Sequence, residues 1–465
     1  MTPRLAAALL AAWAAQLGAT DVLLHATRAE PARGLRVFQP AELTALHVTA
    51  ELGEPPTLRW QADVPRDGEY RIRLLARCRT AGVVPVIRVG SSAEVRAGGA
   101  LPRDWDRIEM GTLRLTAGRR EVALRLEPTG SARGEAELQA VELDEAGRAA
   151  ADAARAAAAR ADTSWLRKAG FGVMLHWTRE AAPAQGPRKP YADAVRDLDA
   201  TALAARLAAT GAGFAVFATS HTHQDFPAPL ASLERALPGR AAPRDLVADL
   251  AGALGQRGMR LMLYHHPGSP ADRDWVRVSG LLERDKGRHF ALWQAIIAEA
   301  GERYGERLAG WWFDDGASGF HARQAPWEAL HRAARAGNPA RLVGFNSWEL
   351  PSATDWQDFD CGEGLRDPRG REGRLRDNDD GVYRSSSRRG QQATACVMLE
   401  NDWLHRERGR MPSPPTWSEA GLRNFLARSR QTGLVPILNL EVTQEGLLGP
   451  ESVELVRRAS RDPAR

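Results

Sequence analysis

From residue 171 onward the chain repeats one unit: a short apolar run, a polar loop, then an amphipathic helical segment. The apolar runs are Phe171–Leu175, Phe214–Phe217, Arg260–Leu263, Leu308–Phe313, Arg341–Phe345, a weaker one across Trp356–Cys361, Ala393–Leu399 and Val435–Leu438. Between them lie stretches with helical periodicity, among them Thr201–Thr210, Leu246–Leu254, His289–Tyr304, Trp327–Ala336 and Glu419–Ser429. Short runs that are apolar at consecutive positions suit strands covered on both faces, and such strands alternating with helices build parallel sheets. Eight of them in roughly 290 residues fit the size of a (β/α)8 TIM-type barrel. An open doubly wound sheet is the rival, but no glycine-rich dinucleotide turn follows the first run, so the barrel is preferred.

Residues 21–145 obey a different period. Tyr70–Leu75, Val83–Val89, Arg107–Leu115 and Glu121–Leu126 alternate in the manner of strands and are separated by turn signals such as Asp67-Gly68 and Ala117-Gly118. Several short strands with no helical pattern between them predict an antiparallel β-sandwich. The fragment Trp60–Pro65 with Asp67–Tyr70 resembles the opening of carbohydrate-binding sandwich modules. A purely structural accessory domain fits that fragment equally well. Residues 146–169 contain an Ala/Arg-rich stretch, Ala149–Asp162, without Gly or Pro, which predicts a helical linker to a barrel domain over 170–460.

The N-terminus reads as an export signal over residues 1–19: a basic start at Arg4, an apolar stretch Leu5–Leu17, then small residues at Gly18-Ala19. That stretch is too short to span a bilayer, so the mature protein is expected to be periplasmic or secreted, with no membrane span. Across 465 residues, 43% hydrophobic and 26% charged composition excludes wholesale disorder and a polytopic membrane protein. Basic residues outnumber acidic ones by 63 to 58, and Lys occurs only at Lys168, Lys189 and Lys286. The Arg excess is spread along the chain and forms no basic stripe, so nucleic acid is not expected as a partner. Cys78, Cys361 and Cys396 have no metal-ligand spacing and read as buried thiols, with a Cys361–Cys396 bridge left open. Nothing in the sequence specifies an oligomeric state.

Reactive side chains cluster just after the apolar runs. The first run ends in His176-Trp177, the second leads to His221-Thr222-His223, the third to Tyr264-His265-His266 and the fourth to Asp314-Asp315; the sixth leads to Glu363 and the seventh to Glu400. In a barrel all these tips meet at the C-terminal mouth, where active sites are built. Each residue alone has a bland reading, as a structural histidine or a helix cap. Their convergence favours function, because unpaired polar groups crowded at one mouth would each cost about 1–3 kcal/mol. Two chemistries fit. Retaining glycoside hydrolysis uses one carboxylate as nucleophile and a second as acid/base. Metal-assisted hydrolysis could take His221, His223 and Asp314 as ligands. Fourteen Trp, with Trp177, Trp275, Trp312 and Trp403 near the candidates, suit stacking on sugars better than a small metal pocket.

Phe171-Gly172-Val173-Met174-Leu175-His176-Trp177 resembles the FGxFxHW opening of the α-L-fucosidase barrel, glycoside hydrolase family 29. Gly211–Thr219 is similar to that family's GAKYxVLT strand, and Tyr304-Gly305 with Trp311-Trp312-Phe313-Asp314 resembles its YGxxxxxWFD nucleophile strand. Asp358-Phe359-Asp360 with Glu363 is loosely similar to its later D-x-x-T-x-E segment. The likeness runs in order from 171 to about 458, and it implies a retaining exo-glycosidase acting on terminal α-L-fucose or a related sugar of an oligo- or polysaccharide. It further implies Asp314 as nucleophile, with His176, Trp177, His221, His223, Tyr264, His266, Trp312 and Trp403 around the sugar. Glu363 takes the acid/base role, with Glu400 and then Glu349 as substitutes. The chemistry calls for no metal or cofactor.

Two departures stand out. The family's KHHDGF appears as Ser220-His221-Thr222-His223-Gln224-Asp225-Phe226, with altered histidine spacing, and its EWY segment has no match between Thr178 and Asp199. A metal-dependent barrel hydrolase and a non-catalytic glycan-binding protein therefore stay as alternatives. The charged stretch Gly364–Gln392 reads as a solvated insertion; the sharper reading is a lid presenting Arg366, Arg384, Arg388 or Arg389 to an anionic glycan.

Overall fold

The structure is a computed structural model that describes residues 21–38, 47–53, 55–80, 82–130, 134–283, 285–314, 325–347, 350–363, 380–384 and 387–461. The proposed export signal, Asp315, Glu349 and Arg366 lie outside the described residues.

The N-terminal part is two antiparallel sheets. In one, the strands run in the order Leu35–Phe38, His47–Glu51, Glu135–Glu145, Gly68–Arg77, Asp106–Leu115, with Val22–His25 also pairing with Glu135–Glu145. The other orders Leu58–Val64, Gly118–Pro128, Val83–Val89 and Val95–Arg96. Alternation does the work expected of it: along Leu58–Val64, every second residue from Leu58 is buried, and Trp60, Tyr70, Ile72, Leu74 and Val122 meet in one core. The helix Ala146–Ala158 follows directly, its first turn capped by the Glu145 carboxylate.

Eight parallel strands then form the barrel: β1 Gly172–Leu175, β2 Phe214–Ala218, β3 Arg260–His265, β4 Leu308–Phe313, β5 Leu342–Phe345, β6 Phe359–Asp360, β7 Gln392–Met398 and β8 Val435–Asn439. Their hydrogen-bonded order is β5-β4-β3-β2-β1-β8-β7-β6. Only β5 and β6 remain to be joined, and Asp358 does this. Its N–H donates to the Val343 carbonyl at 2.8 Å, while its carboxylate takes the Val343 N–H at 2.8 Å and both Arg335 hydrogen bonds at 2.8 Å. Eight strand-like runs were legible in the sequence, including the weak sixth.

Each barrel strand is buried on both faces, which is why the runs are continuously apolar. Met174, Phe214, Val216, Met262, Tyr264, Trp312, Phe359 and Ile437 fill the interior, whereas Val173, Leu175, Phe217, Leu263, Trp311, Phe313 and Phe345 meet the surrounding helices. Gly344 shows how tightly the interior is filled: a Cβ there would lie 2.5 Å from the Phe359 ring. The three cysteines are buried thiols, and no Cys361–Cys396 bridge forms. Among the described residues no helix is long and apolar enough to cross a membrane.

Candidate active site

Alternation along each strand decides which tip residue faces the mouth. Met174 points inward on β1 and Leu175 outward, so His176 follows inward and Trp177 outward. On β3, Tyr264 is inward, His265 outward and His266 inward again; on β4, Trp312 and Asp314 share the inner face while Phe313 packs outside.

Asp314, one residue past β4, is the best-held group there. Its Oδ2 accepts a hydrogen bond from the Tyr264 hydroxyl at 2.5 Å, and its Oδ1 accepts one from Asn346 Nδ2 at 2.8 Å. Burial works against its charge. The attraction of His266 and the hydrogen bonds from Tyr264 and Asn346 outweigh that and hold the carboxyl below its ordinary range. Asp314 is therefore ionised at neutral pH.

Asn346 follows β5 directly, where its own N–H donates to the Phe313 carbonyl at 2.7 Å. Its Nδ2 also donates to Glu363 Oε2. One amide nitrogen with two hydrogens thus serves two carboxylates. Two oxygens bound to the same nitrogen lie no farther apart than two hydrogen-bond lengths, roughly 6 Å.

Rings close the mouth around this pair. His176 stands edge-on to Tyr264 at 4.6 Å between centroids, and to His221 and Trp403 at 5.6 Å each. His221 is 5.8 Å from His266, and Trp312 stacks on Tyr264 at 5.3 Å. Burial lowers the His176 pKa; burial, with His176 and His266 alongside, lowers that of His221 to about 3. At neutral pH both rings are therefore uncharged beside the ionised Asp314.

Three residues singled out in the sequence lie elsewhere. Trp177 packs in the layer between strands and helices, where its indole N–H donates to the Gln444 carbonyl at 3.0 Å and its ring stacks on Phe217 at 5.9 Å. The expectation that it lines the mouth is corrected: one step along a strand turns a side chain to the other face. Trp275 is likewise an outer-layer residue, its indole bound to the Pro267 carbonyl at 3.0 Å. His223 turns to the rim and bonds Glu180 Oε1 through Nδ1 at 2.5 Å, so the His221-x-His223 pair is split between two settings. Among the described residues, no group of three His, Cys, Asp or Glu side chains is arranged to hold a metal ion.

Glu400 is buried with its Oε2 accepting the Glu441 N–H at 3.0 Å, and burial raises its pKa to about 7. Asn346 ties Glu363, and not Glu400, to Asp314. Arg388 is buried against Asp360 at 3.2 Å and donates to the Leu350 carbonyl at 2.6 Å, so it is no part of a lid. Arg384 pairs with Asp380.

Sequence reasoning passed over Asn346 and Asn439, which complete the mouth from β5 and β8. The signal was present: each stands at the tip of its apolar run, like His176 and Asp314. An Asn in that position also reads as an ordinary turn residue, and nothing local separates the two.

No protein-family profile matches the chain, and no curated protein matches it in sequence. Solved structures do share its fold. An endo-fucoidan hydrolase of glycoside hydrolase family 107 superposes with a TM-score of 0.51 at 15% identity, over 64% of this chain and 53% of that one, so the match spans about half of the larger protein. The α-L-fucosidase AlfC from Lactobacillus casei matches with a TM-score of 0.45 at 16% identity, over 64% of this chain and 96% of its own. An α-L-fucosidase of family 29 from Bacteroides thetaiotaomicron matches with a TM-score of 0.47 at 15% identity, over 64% and 73% respectively. At 15% identity the likeness to the family 107 enzyme bears on the fold alone.

Proposed function

We propose that this chain is a retaining exo-glycosidase that removes terminal α-L-fucose, or a closely related sugar, from an oligo- or polysaccharide. The observation that carries this reading is the Asn346 amide shared by Asp314 and Glu363. Retaining enzymes keep their two carboxyl groups about 5–5.5 Å apart, whereas inverting ones need roughly 6.5–9.5 Å to admit a water. A common hydrogen-bond donor fits the shorter spacing. The choice of fucose follows from the motifs Phe171–Trp177 and Trp311–Asp314.

In the first step Asp314 attacks the anomeric carbon, forming an ester bond as the bond from that carbon to the departing oxygen breaks. Glu363 gives its proton to that oxygen. In the second step Glu363 takes a proton from water, and the resulting hydroxide attacks the anomeric carbon and releases Asp314. Tyr264 and Asn346 hold the nucleophile's two oxygens, so it stays aimed and ionised. Trp403, half-buried at the mouth, provides apolar surface for the sugar above the buried, stacked rings of Tyr264 and Trp312, and His176, His221 and His266 face its hydroxyls.

The test is hydrolysis of 4-nitrophenyl α-L-fucopyranoside, followed by proton NMR so that the first-formed sugar is caught before it mutarotates. The α anomer is expected first, with no turnover by Asp314→Asn. First-formed β anomer, or ordinary turnover by that variant, would overturn the assignment.

A further inference from the structure

We propose that Asn439 fixes which nitrogen of His176 carries the proton, and thereby makes the mouth read one free hydroxyl of the sugar. The inference rests on the glycosidase reading for its substrate, and on hydrogen-bond logic alone for the proton.

Asn439 ends β8 and is fully buried. Its two amide ends are told apart by their partners. One end faces the Trp403 backbone carbonyl at 3.2 Å, and a carbonyl only accepts, so that end is the NH2. The other end, the amide oxygen, then lies 2.8 Å from His176 Nδ1. An amide oxygen only accepts, so Nδ1 is the N–H. A neutral imidazole has a single N–H, which leaves Nε2 of His176 as a bare acceptor among the rings of His221, Tyr264 and Trp403. His266 differs, since the Gly268 N–H donates to its Nδ1 at 3.1 Å.

A lone pair recognises an O–H. A hydroxyl that is methylated, acylated, sulfated or missing brings no hydrogen and leaves a buried acceptor unpaired. Sites built to bond a hydroxyl discriminate strongly against analogues without it. A fucose unit substituted at the position facing His176 is therefore disfavoured by about one hydrogen bond, and Asn439 is the positioning residue that enforces the preference.

The first measurement needs no substrate. In protein labelled with [15N]histidine, with His176 assigned through His176→Gln, Nε2 is expected to show a pyridine-type resonance and Nδ1 a pyrrole-type one. A pyrrole-type Nε2, or averaging between two forms, overturns the proposal whatever the protein hydrolyses. The second measurement titrates L-fucose and its 2-, 3- and 4-O-methyl ethers. Wild type is expected to bind one ether about 10-fold more weakly than fucose, the worth of one lost hydrogen bond, and Asn439→Leu to lose that difference. Equal discrimination in both proteins overturns the role of Asn439. Asn439→Asp keeps an acceptor beside Nδ1 and adds a charge that favours the imidazolium. Its turnover of the aryl fucoside is expected to fall at a higher pH than that of wild type on acidification and to recover on raising the pH. An unmoved profile contradicts the proposal, because simple loss of packing would leave the profile in place. If no form binds or cleaves a fucoside, the functional reading fails, while the nitrogen spectrum still decides the tautomer.

Discussion

Replacing Asn346 with Leu keeps the branched shape of the side chain and removes a donor that Asp314 and Glu363 share. A hydrogen bond to a charged group contributes about 1.5–3 kcal/mol, and each 1.36 kcal/mol between protonation states is one pKa unit. Losing it raises the Asp314 pKa by roughly 1–2 units. The sign follows from the role: Asp314 acts ionised, so activity disappears as pH falls through its pKa, and in the variant it disappears 1–2 units earlier. Glu363 acts protonated, and its ionised form loses the same donor, so the alkaline limb moves upward too. The two carboxyls titrate as a pair, so the profile should shift as a whole bell. The assay is kcat/KM on 4-nitrophenyl α-L-fucopyranoside against pH, read as stopped time points, with a thermal melt to establish that the variant is folded. A folded Asn346→Leu protein whose acid limb coincides with that of wild type would refute the coupling.

Other consequences separate the candidate residues. Glu363→Gln is expected to lower kcat/KM on an alkyl fucoside by about 10²–10⁴, and by much less on the nitrophenyl fucoside, whose leaving group needs little protonation; equal losses on both would remove Glu363 from the acid/base role. Glu400→Gln should keep turnover within a few fold. Because burial raises the Glu400 pKa from 4.5 to about 7, native Glu400 binds its proton more tightly than the unfolded chain does. Its contribution is present below pH 4.5 and is lost as pH rises toward 7, so urea melts should show Glu400→Gln gaining up to about 3 kcal/mol over wild type above neutrality. No gain there would mean the carboxyl is not held in a neutral, apolar setting. Trp177→Ala should cost about 3–5 kcal/mol of stability through the cavity it leaves, with KM of the folded protein unchanged; a raised KM with normal stability would place Trp177 in the mouth.

The barrel was legible because its strands are buried on both faces and so appear as unbroken apolar runs with helices between. The sandwich was legible for the opposite reason, an alternation along strands such as Tyr70–Leu75, where Tyr70, Ile72 and Leu74 are buried and Arg71 and Arg73 less so. What sequence blurred was the direction of single side chains at strand tips. His176 and Trp177 are adjacent, and the inward or outward choice between them is fixed by the register of β1 against its neighbours, information that is not local. The same applies to His221 and His223: the loop after β2 carries one into the mouth and gives the other to Glu180, a residue with no signature of its own. Asn346 and Asn439 were invisible as chemistry because their importance lies in what they bridge. Neither their charge nor their spacing marks them.

The most direct test of Asp314 as the attacking group is covalent trapping. Incubation with a 2-deoxy-2-fluoro fucosyl fluoride slows release of the glycosyl-enzyme, and peptide mass mapping then locates the sugar. The double-displacement mechanism predicts one added fluorofucosyl unit on the peptide that contains Trp311–Asp314, absent from Asp314→Asn. Label on Glu363, Glu400 or any other residue, or a wild-type enzyme that turns over fucosides yet never acquires the label, would contradict it.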